Sequence, residues 1–223
     1  EQKSKVAEIN QKLATLFTRF GQNLLHDESK IYLSINEAQL SLLPDGIKAA
    51  AIERAKSENL PGGALANTRS AIEPFLTFCT DRALREKAWK MFISRGDNGD
   101  KYDNKSTILE ILKLRAERAK IMGFPTHAHW RLSDKMAKTP DAAMDLMLKV
   151  WTPAVNRVHQ EVADMQKIAD SENAGIKIEP WDYRYYAEKV RKAKYDLDEN
   201  QIKPYLQLEK MREGMFWVAG KLF

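Results

Sequence analysis

Val6, Ile9, Leu13, Leu16, Phe17, Phe20 and Leu24 recur at three- and four-residue intervals, with Glu8, Lys12 and Arg19 on the opposite side. An apolar set with that rhythm lies on one face of an α-helix and cannot be buried as a strand. The rhythm returns further on. Ile108, Ile111, Leu112, Ala119 and Met122 share a face, and Met144, Met147, Trp151, Val155, Val158, Val162 and Met165 form one stripe. No two alternating runs joined by a hairpin turn occur, and no repeat period stands out. The pattern predicts an all-α fold, a multi-helix array.

Punctuation divides the array. Asn36 and Pro44-Asp45-Gly46 bound a short helix near 36–43, and another is expected over 46–58. Pro61-Gly62-Gly63 breaks the chain, and residues 64–68 read as loop or a short piece of strand, placing a sub-boundary near 60–68. Helices resume at 69–78 and 81–94. The polar segment from Gly96 to Asn104 reads as a mobile surface loop, with Asn104 or Ser106 capping the helix after it. Gly123-Phe124-Pro125 stops that helix. Thr139-Pro140-Asp141 starts the next, Thr as N-cap and Pro in the first turn, and it runs to about 170. Pro153 is expected to kink or restart it, because proline removes a backbone donor and crowds the preceding turn. Glu179-Pro180-Trp181-Asp182 opens a further helix, and Pro204 the last. There Phe216, Trp217 and Phe223 leave the main apolar face, so the helix requires cover on several sides.

The candidate chemistry is sparse. A helical zinc peptidase site needs H-E-x-x-H, and His26, His127, His129 and His159 do not supply it. His127 and His129 diverge by roughly 200° on a helix with 3.6 residues per turn, so they read as cap and surface residues beside Trp130. His159, at the edge of the 144–165 stripe, reads as a satisfied, partly buried histidine. Cys79, between Phe78 and Thr80, reads as a buried inert thiol, and a single cysteine excludes a disulfide framework. Residues 97–104 have the composition of a calcium loop without its order of ligands. No phosphate-binding or dinucleotide glycine motif, or G-x-S-x-G elbow, is present. The net charge of +5 raises nucleic-acid binding, but basic and acidic residues are interleaved. The one local excess is Arg184, Lys189, Arg191, Lys192 and Lys194 against Glu188, which reads as a solvated face. No apolar run approaches the eighteen or so residues of a membrane span. We therefore expect neither nucleic acid nor membrane as a partner.

The last third is more specific. Glu179-Pro180-Trp181-Asp182-Tyr183-Arg184-Tyr185-Tyr186-Ala187-Glu188-Lys189-Val190 is followed by Tyr195-Asp196-Leu197-Asp198-Glu199 and Ile202-Lys203-Pro204-Tyr205. The end runs Glu213-Gly214-Met215-Phe216-Trp217-Val218-Ala219-Gly220-Lys221-Leu222-Phe223. Together these resemble the thimet-oligopeptidase-like zinc metallopeptidases, in particular their bacterial peptidyl-dipeptidase branch. Arg82-Ala83-Leu84-Arg85-Glu86-Lys87, Arg115-Ala116, Gly123-Phe124-Pro125 and Met136-Ala137-Lys138-Thr139-Pro140 fit the same branch in the same order. One departure stands between Pro61 and Asn67, where the family carries an apolar, tryptophan-containing stretch and this chain has Gly62-Gly63-Ala64-Leu65-Ala66.

The resemblance implies one half of a clam-shaped helical peptidase that releases C-terminal dipeptides from short peptides. In that family one catalytic zinc is held by H-E-x-x-H and a further glutamate, C-terminal to the segment matched here. Residues 1–223 are thus expected to be a helical, non-catalytic portion forming a wall of the substrate channel. No zinc ligand or catalytic residue is expected in this chain, and the catalytic domain is expected downstream as its partner. Trp181, Tyr185 and Tyr186 are candidate channel-lining residues, because aromatic faces make broad contacts to peptides; packing between helices is the alternative. The expected compartment is the cytoplasm, with the periplasm as the alternative. A stand-alone helical scaffold without peptidase activity is the competing functional class.

Overall fold

The computed structural model describes residues 1–195 and 202–223, so the Asp196–Glu199 part of the family-like motif lies outside the described residues. The elements are α1 (Gln2–Lys30), β1 (Tyr32–Ile35), α2 (Glu37–Leu40), α3 (Asp45–Ser57), β2 (Gly63–Ala66), α4 (Arg69–Phe78), α5 (Arg82–Ile93), α6 (Lys105–Ile121), α7 (His127–Leu132), α8 (Pro140–Ser171), α9 (Tyr183–Tyr195), a 3-10 turn (Lys203–Tyr205) and α10 (Leu208–Leu222). Among the described residues α8 and α1 are the longest, at 32 and 29 residues. The all-α expectation holds, with one addition. β1 and β2 form a two-stranded antiparallel ribbon pairing Tyr32 with Ala66 and Ile35 with Gly63.

That ribbon escapes a periodicity search for a physical reason. Each strand has four residues, Gly63, Ala64 and Leu65 are all buried, and α2 and α3 stand between the strands, so neither alternation nor a hairpin turn marks them. Gly62, at φ +72°, turns the chain into β2, where a Cβ would sit 2.7 Å from the Ile35 carbonyl oxygen.

Three apolar clusters hold the molecule. Ile9, Leu13 and Leu16 of α1 pack against Ile111 of α6, as the stripe requires. Ile35, Leu65, Ile72, Phe75, Cys79 and Leu84 join the ribbon to α4 and α5. Met165 and Ala169 of α8 close on Tyr186 of α9. Each fully buried Leu, Ile or Phe stabilises by about 1.5–3 kcal/mol relative to an exposed one.

The Gly96–Asn104 segment is not the loose loop its polarity predicts. Asp27, fully buried in α1, accepts hydrogen bonds from the Gly96 amide at 2.7 Å and the Asn98 side chain at 2.9 Å. Asn104, also buried, accepts from Asn23 at 2.9 Å and donates to the Phe20 carbonyl at 3.2 Å. Asn104 stands at the N-cap of α6, but its side chain is spent on α1 and makes no cap bond. Ser106 lies inside α6. By contrast, the Thr139 hydroxyl accepts from the Ala142 amide and caps α8 as expected.

α8 passes through Pro153 as one element rather than restarting there. Its stripe is covered only at the C-terminal end. Met165 is buried, whereas Met144, Met147, Trp151 and Val158 are exposed, Trp151 at 66%. His159 lies on this uncovered stretch and is exposed, not partly buried as its position beside the stripe suggested. α10 has no buried residue, and Trp217 is also 66% exposed. No helix among the described residues is long and apolar enough to cross a membrane.

Candidate functional site

The densest polar construction joins the start of α9 to α5. Arg82 and Arg85 are one turn apart and share a face of α5. Asp182 precedes α9 by one residue and is completely buried. Arg85 Nη2 donates to Asp182 Oδ1 at 2.8 Å, and Arg82 donates through Nη2 to Oδ2 at 2.9 Å and through Nε at 3.1 Å. The Glu179 amide adds a bond to Oδ2 at 3.2 Å. Arg85, 2% exposed, also donates through Nη1 to the carbonyls of Cys79 and Thr80, at 2.8 and 3.2 Å, and through Nε to that of Trp181 at 3.3 Å. Hydrogen bonding to the Asp182 carboxylate holds the Arg82 guanidinium above its usual range.

Two of the three aromatic candidates flank this ion pair, and the third packs behind them. The Arg85 guanidinium lies over Tyr185, 4.2 Å from its centroid, and Arg82 lies over Trp181 at 5.5 Å. Trp181 meets Trp89 edge-on at 5.8 Å, and Tyr185 meets Tyr186 edge-on at 5.2 Å. Tyr186 is 4% exposed and packs in the α8–α9 cluster, where burial raises its phenol pKa. Trp181 and Tyr185 keep partial exposure. The structure therefore brings all three together, with Tyr186 innermost. Cys79 is fully buried, its thiol raised by desolvation.

Between α3, β2, α4 and α9 runs a groove of about 1130 Å³. Ala51, Leu65 and Phe78 give it an apolar floor, and Arg54, Arg184 and Glu188 a charged rim. β2, on its wall, pairs with β1 along one edge only among the described residues. Such an arrangement can bind an extended chain through backbone groups and shallow apolar contacts.

Four of the five basic residues of the α9 run are paired within the chain. Arg184 pairs with Glu73 at 2.6 Å, Lys189 with Glu172 at 2.6 Å and Lys194 with Asp164 at 2.6 Å. Arg191 pairs with Glu188 at 2.5 Å.

The histidines are dispersed. His26 stacks on Tyr102 at 3.5 Å, His129 shares a hydrogen bond with the Thr126 hydroxyl at 2.8 Å, His127 lies edge-on to Trp130, and His159 stands on the open part of α8. Among the described residues no group of three or more His, Cys, Asp or Glu side chains could hold a metal ion. A catalytic zinc takes three protein ligands, so the described residues do not fit one.

Sequence reading missed Asp182, which it took only as part of a helix start. Arg82 and Arg85 at i,i+3 were the available signal, but Asp81 and Glu86, one turn from Arg85 and Arg82 respectively, masked the need for a distant acid.

The profile of Peptidase family M3 matches residues 75–223. The dipeptidyl carboxypeptidase of Escherichia coli (strain K12) is 37% identical over an alignment of 226 positions that covers 99% of this chain and 33% of that protein. Oligopeptidase A of Salmonella typhimurium (strain LT2) is 30% identical over an alignment of 229 positions that covers 100% of this chain and 34% of that protein. Saccharolysin of Saccharomyces cerevisiae is 27% identical over an alignment of 227 positions that covers 98% of this chain and 31% of that protein. The chain thus spans about a third of the length of these relatives.

Proposed function

Because this chain belongs to peptidase family M3, we propose that it is a helical, non-catalytic portion of a zinc peptidase of the dipeptidyl carboxypeptidase or oligopeptidase type, forming one wall of its peptide channel. The observation that carries the reading is end-to-end similarity to a dipeptidyl carboxypeptidase three times as long. The uncovered apolar faces of α8 and α10 support it, since surfaces of that extent mark contacts with further polypeptide. In this reading the zinc ligands and the activating base come from a part of the polypeptide beyond residues 1–223, and the substrates are short peptides.

Within the wall, Trp181 and Tyr185 are the contact surface and Tyr186 the residue behind them. Arg82 and Arg85 hold the two outer rings through their faces, and Asp182 fixes both guanidiniums, so the aromatic surface is rigid before a peptide arrives.

The gene itself supplies the test. A reading frame that continues past Phe223 into H-E-x-x-H supports the proposal, and a stop codon directly after Phe223 overturns it in favour of a stand-alone scaffold. For the wall, Tyr185→Ala in the full-length enzyme is expected to raise KM about three- to ten-fold with little change in kcat, the mark of lost uniform binding. An unchanged KM would assign Tyr185 to packing alone.

A further inference from the structure

α6 and α7 gather cationic groups for which the channel wall has no use. Arg115 and Arg118 stand one turn apart near the C-terminal end of α6, and α7 packs across that end, bringing His127, Trp130 and Arg131. The Arg118 guanidinium lies 4.6 Å from the Trp130 centroid, Arg131 lies 5.6 Å from it, and His127 meets the same ring edge-on at 5.6 Å. Arg115 lies over Phe17 at 5.2 Å.

Neither Arg115 nor Arg118 has a carboxylate partner among the described residues, and Arg131 has only Asp134 among them within electrostatic reach; Arg118 Nη1 donates to the Asn10 side-chain oxygen at 2.6 Å. Elsewhere Arg82 and Arg85 share Asp182, Arg95 has Glu28 and Arg157 has Glu161, whereas Arg19 and Arg212, which also lack an ion pair among the described residues, are exposed to solvent. Arg115 Nε, Arg118 Nε and His127 Nδ1 are shut off from solvent and have no hydrogen-bond partner. Buried polar nitrogens without partners are rare and call for an acceptor. Burial, and then the neighbouring guanidiniums, push the His127 imidazole below its usual range.

We propose that Arg115, Arg118 and His127 form an oxyanion site, with Trp130 as its apolar wall and Arg131 at its edge. The ligand is a carboxylate or phosphate group. A guanidinium presents parallel N–H donors spaced for two oxygens, and a second guanidinium one turn away reaches the same anion. The oxyanion is either a free phosphate or an acidic side chain from polypeptide outside these 223 residues. The site stands independently of the channel-wall reading.

Calorimetric titration of the 223-residue chain with inorganic phosphate, and separately with N-acetylglutamic acid α-amide, tests it. One saturable site per chain is expected. Arg115→Gln should weaken it at least ten-fold, and Lys149→Gln, an exposed lysine on α8, should leave it unchanged. Tighter binding of phosphate identifies a free anion, and tighter binding of the glutamyl carboxylate identifies a protein side chain. The ¹⁵N resonance of His127 Nδ1 should shift on saturation in the unsubstituted chain, a readout that needs no variant to fold. No saturable binding of either probe, binding indifferent to Arg115→Gln, or an unmoved His127 resonance would overturn the site.

Discussion

Asp182 illustrates what one buried residue does and why its role is hidden in the sequence. It is fully buried with Arg85 against it, and its partners lie 97 and 100 residues away, a separation no local pattern encodes. Removing one partner of such a pair leaves an uncompensated buried charge. Asp182→Asn is therefore expected to cost about 3–5 kcal/mol, read as a lower urea midpoint. Cys79 was legible, because an apolar helical context buries a small thiol by default. With its thiol raised by burial, it should resist alkylation at pH 8 while the chain is folded and react on denaturation. His127 gives a pH signature. Its folded pKa lies below the unfolded value, so its contribution to stability is intact above about pH 6.5 and lost as pH falls through the folded value. His127→Gln should flatten the acid side of the stability profile, and a profile unchanged by that substitution would contradict the burial of its imidazole.

At the scale of elements, the helices were legible and the joints between them were not. α1 announces itself by its stripe and α8 by stripe and cap, because a helix face long enough to bury a core repeats its signal several times. The four-residue strands repeat nothing. The 96–104 segment misled for another reason: polarity marks loops, but the same polar groups can be hydrogen-bonded to a buried carboxylate on a distant helix. Asn104→Ala removes two bonds to α1 and leaves the Asn23 amide without its acceptor, with an expected loss of about 1–3 kcal/mol. Hydrogen exchange at the Gly96 amide should accelerate in that variant if the loop is held as a unit, and an unchanged rate would show that Asp27 alone suffices. Trp181, Tyr185 and Tyr186 were legible as an aromatic group but not in their roles, since their placement depends on α5 and α8.

For the whole molecule, the decisive feature is how much apolar surface its helices leave open. Met144, Met147 and Trp151 on α8, and Met211, Phe216 and Trp217 on α10, are exposed, and patches of this kind on an isolated chain drive association. Light scattering on the 223-residue chain should show mass rising with concentration, and Phe216→Glu combined with Trp217→Glu should reduce that rise. A clean monomer at high concentration with α10 ordered would count against uncovered contact surfaces. The peptidase reading is tested most directly by zinc content after dialysis, measured together with dipeptide release from a short blocked peptide. The 223-residue chain should retain no stoichiometric zinc and release no dipeptide, and a polypeptide extending it through H-E-x-x-H should hold one zinc and turn over. One tightly held zinc per 223-residue chain together with turnover would contradict the non-catalytic wall.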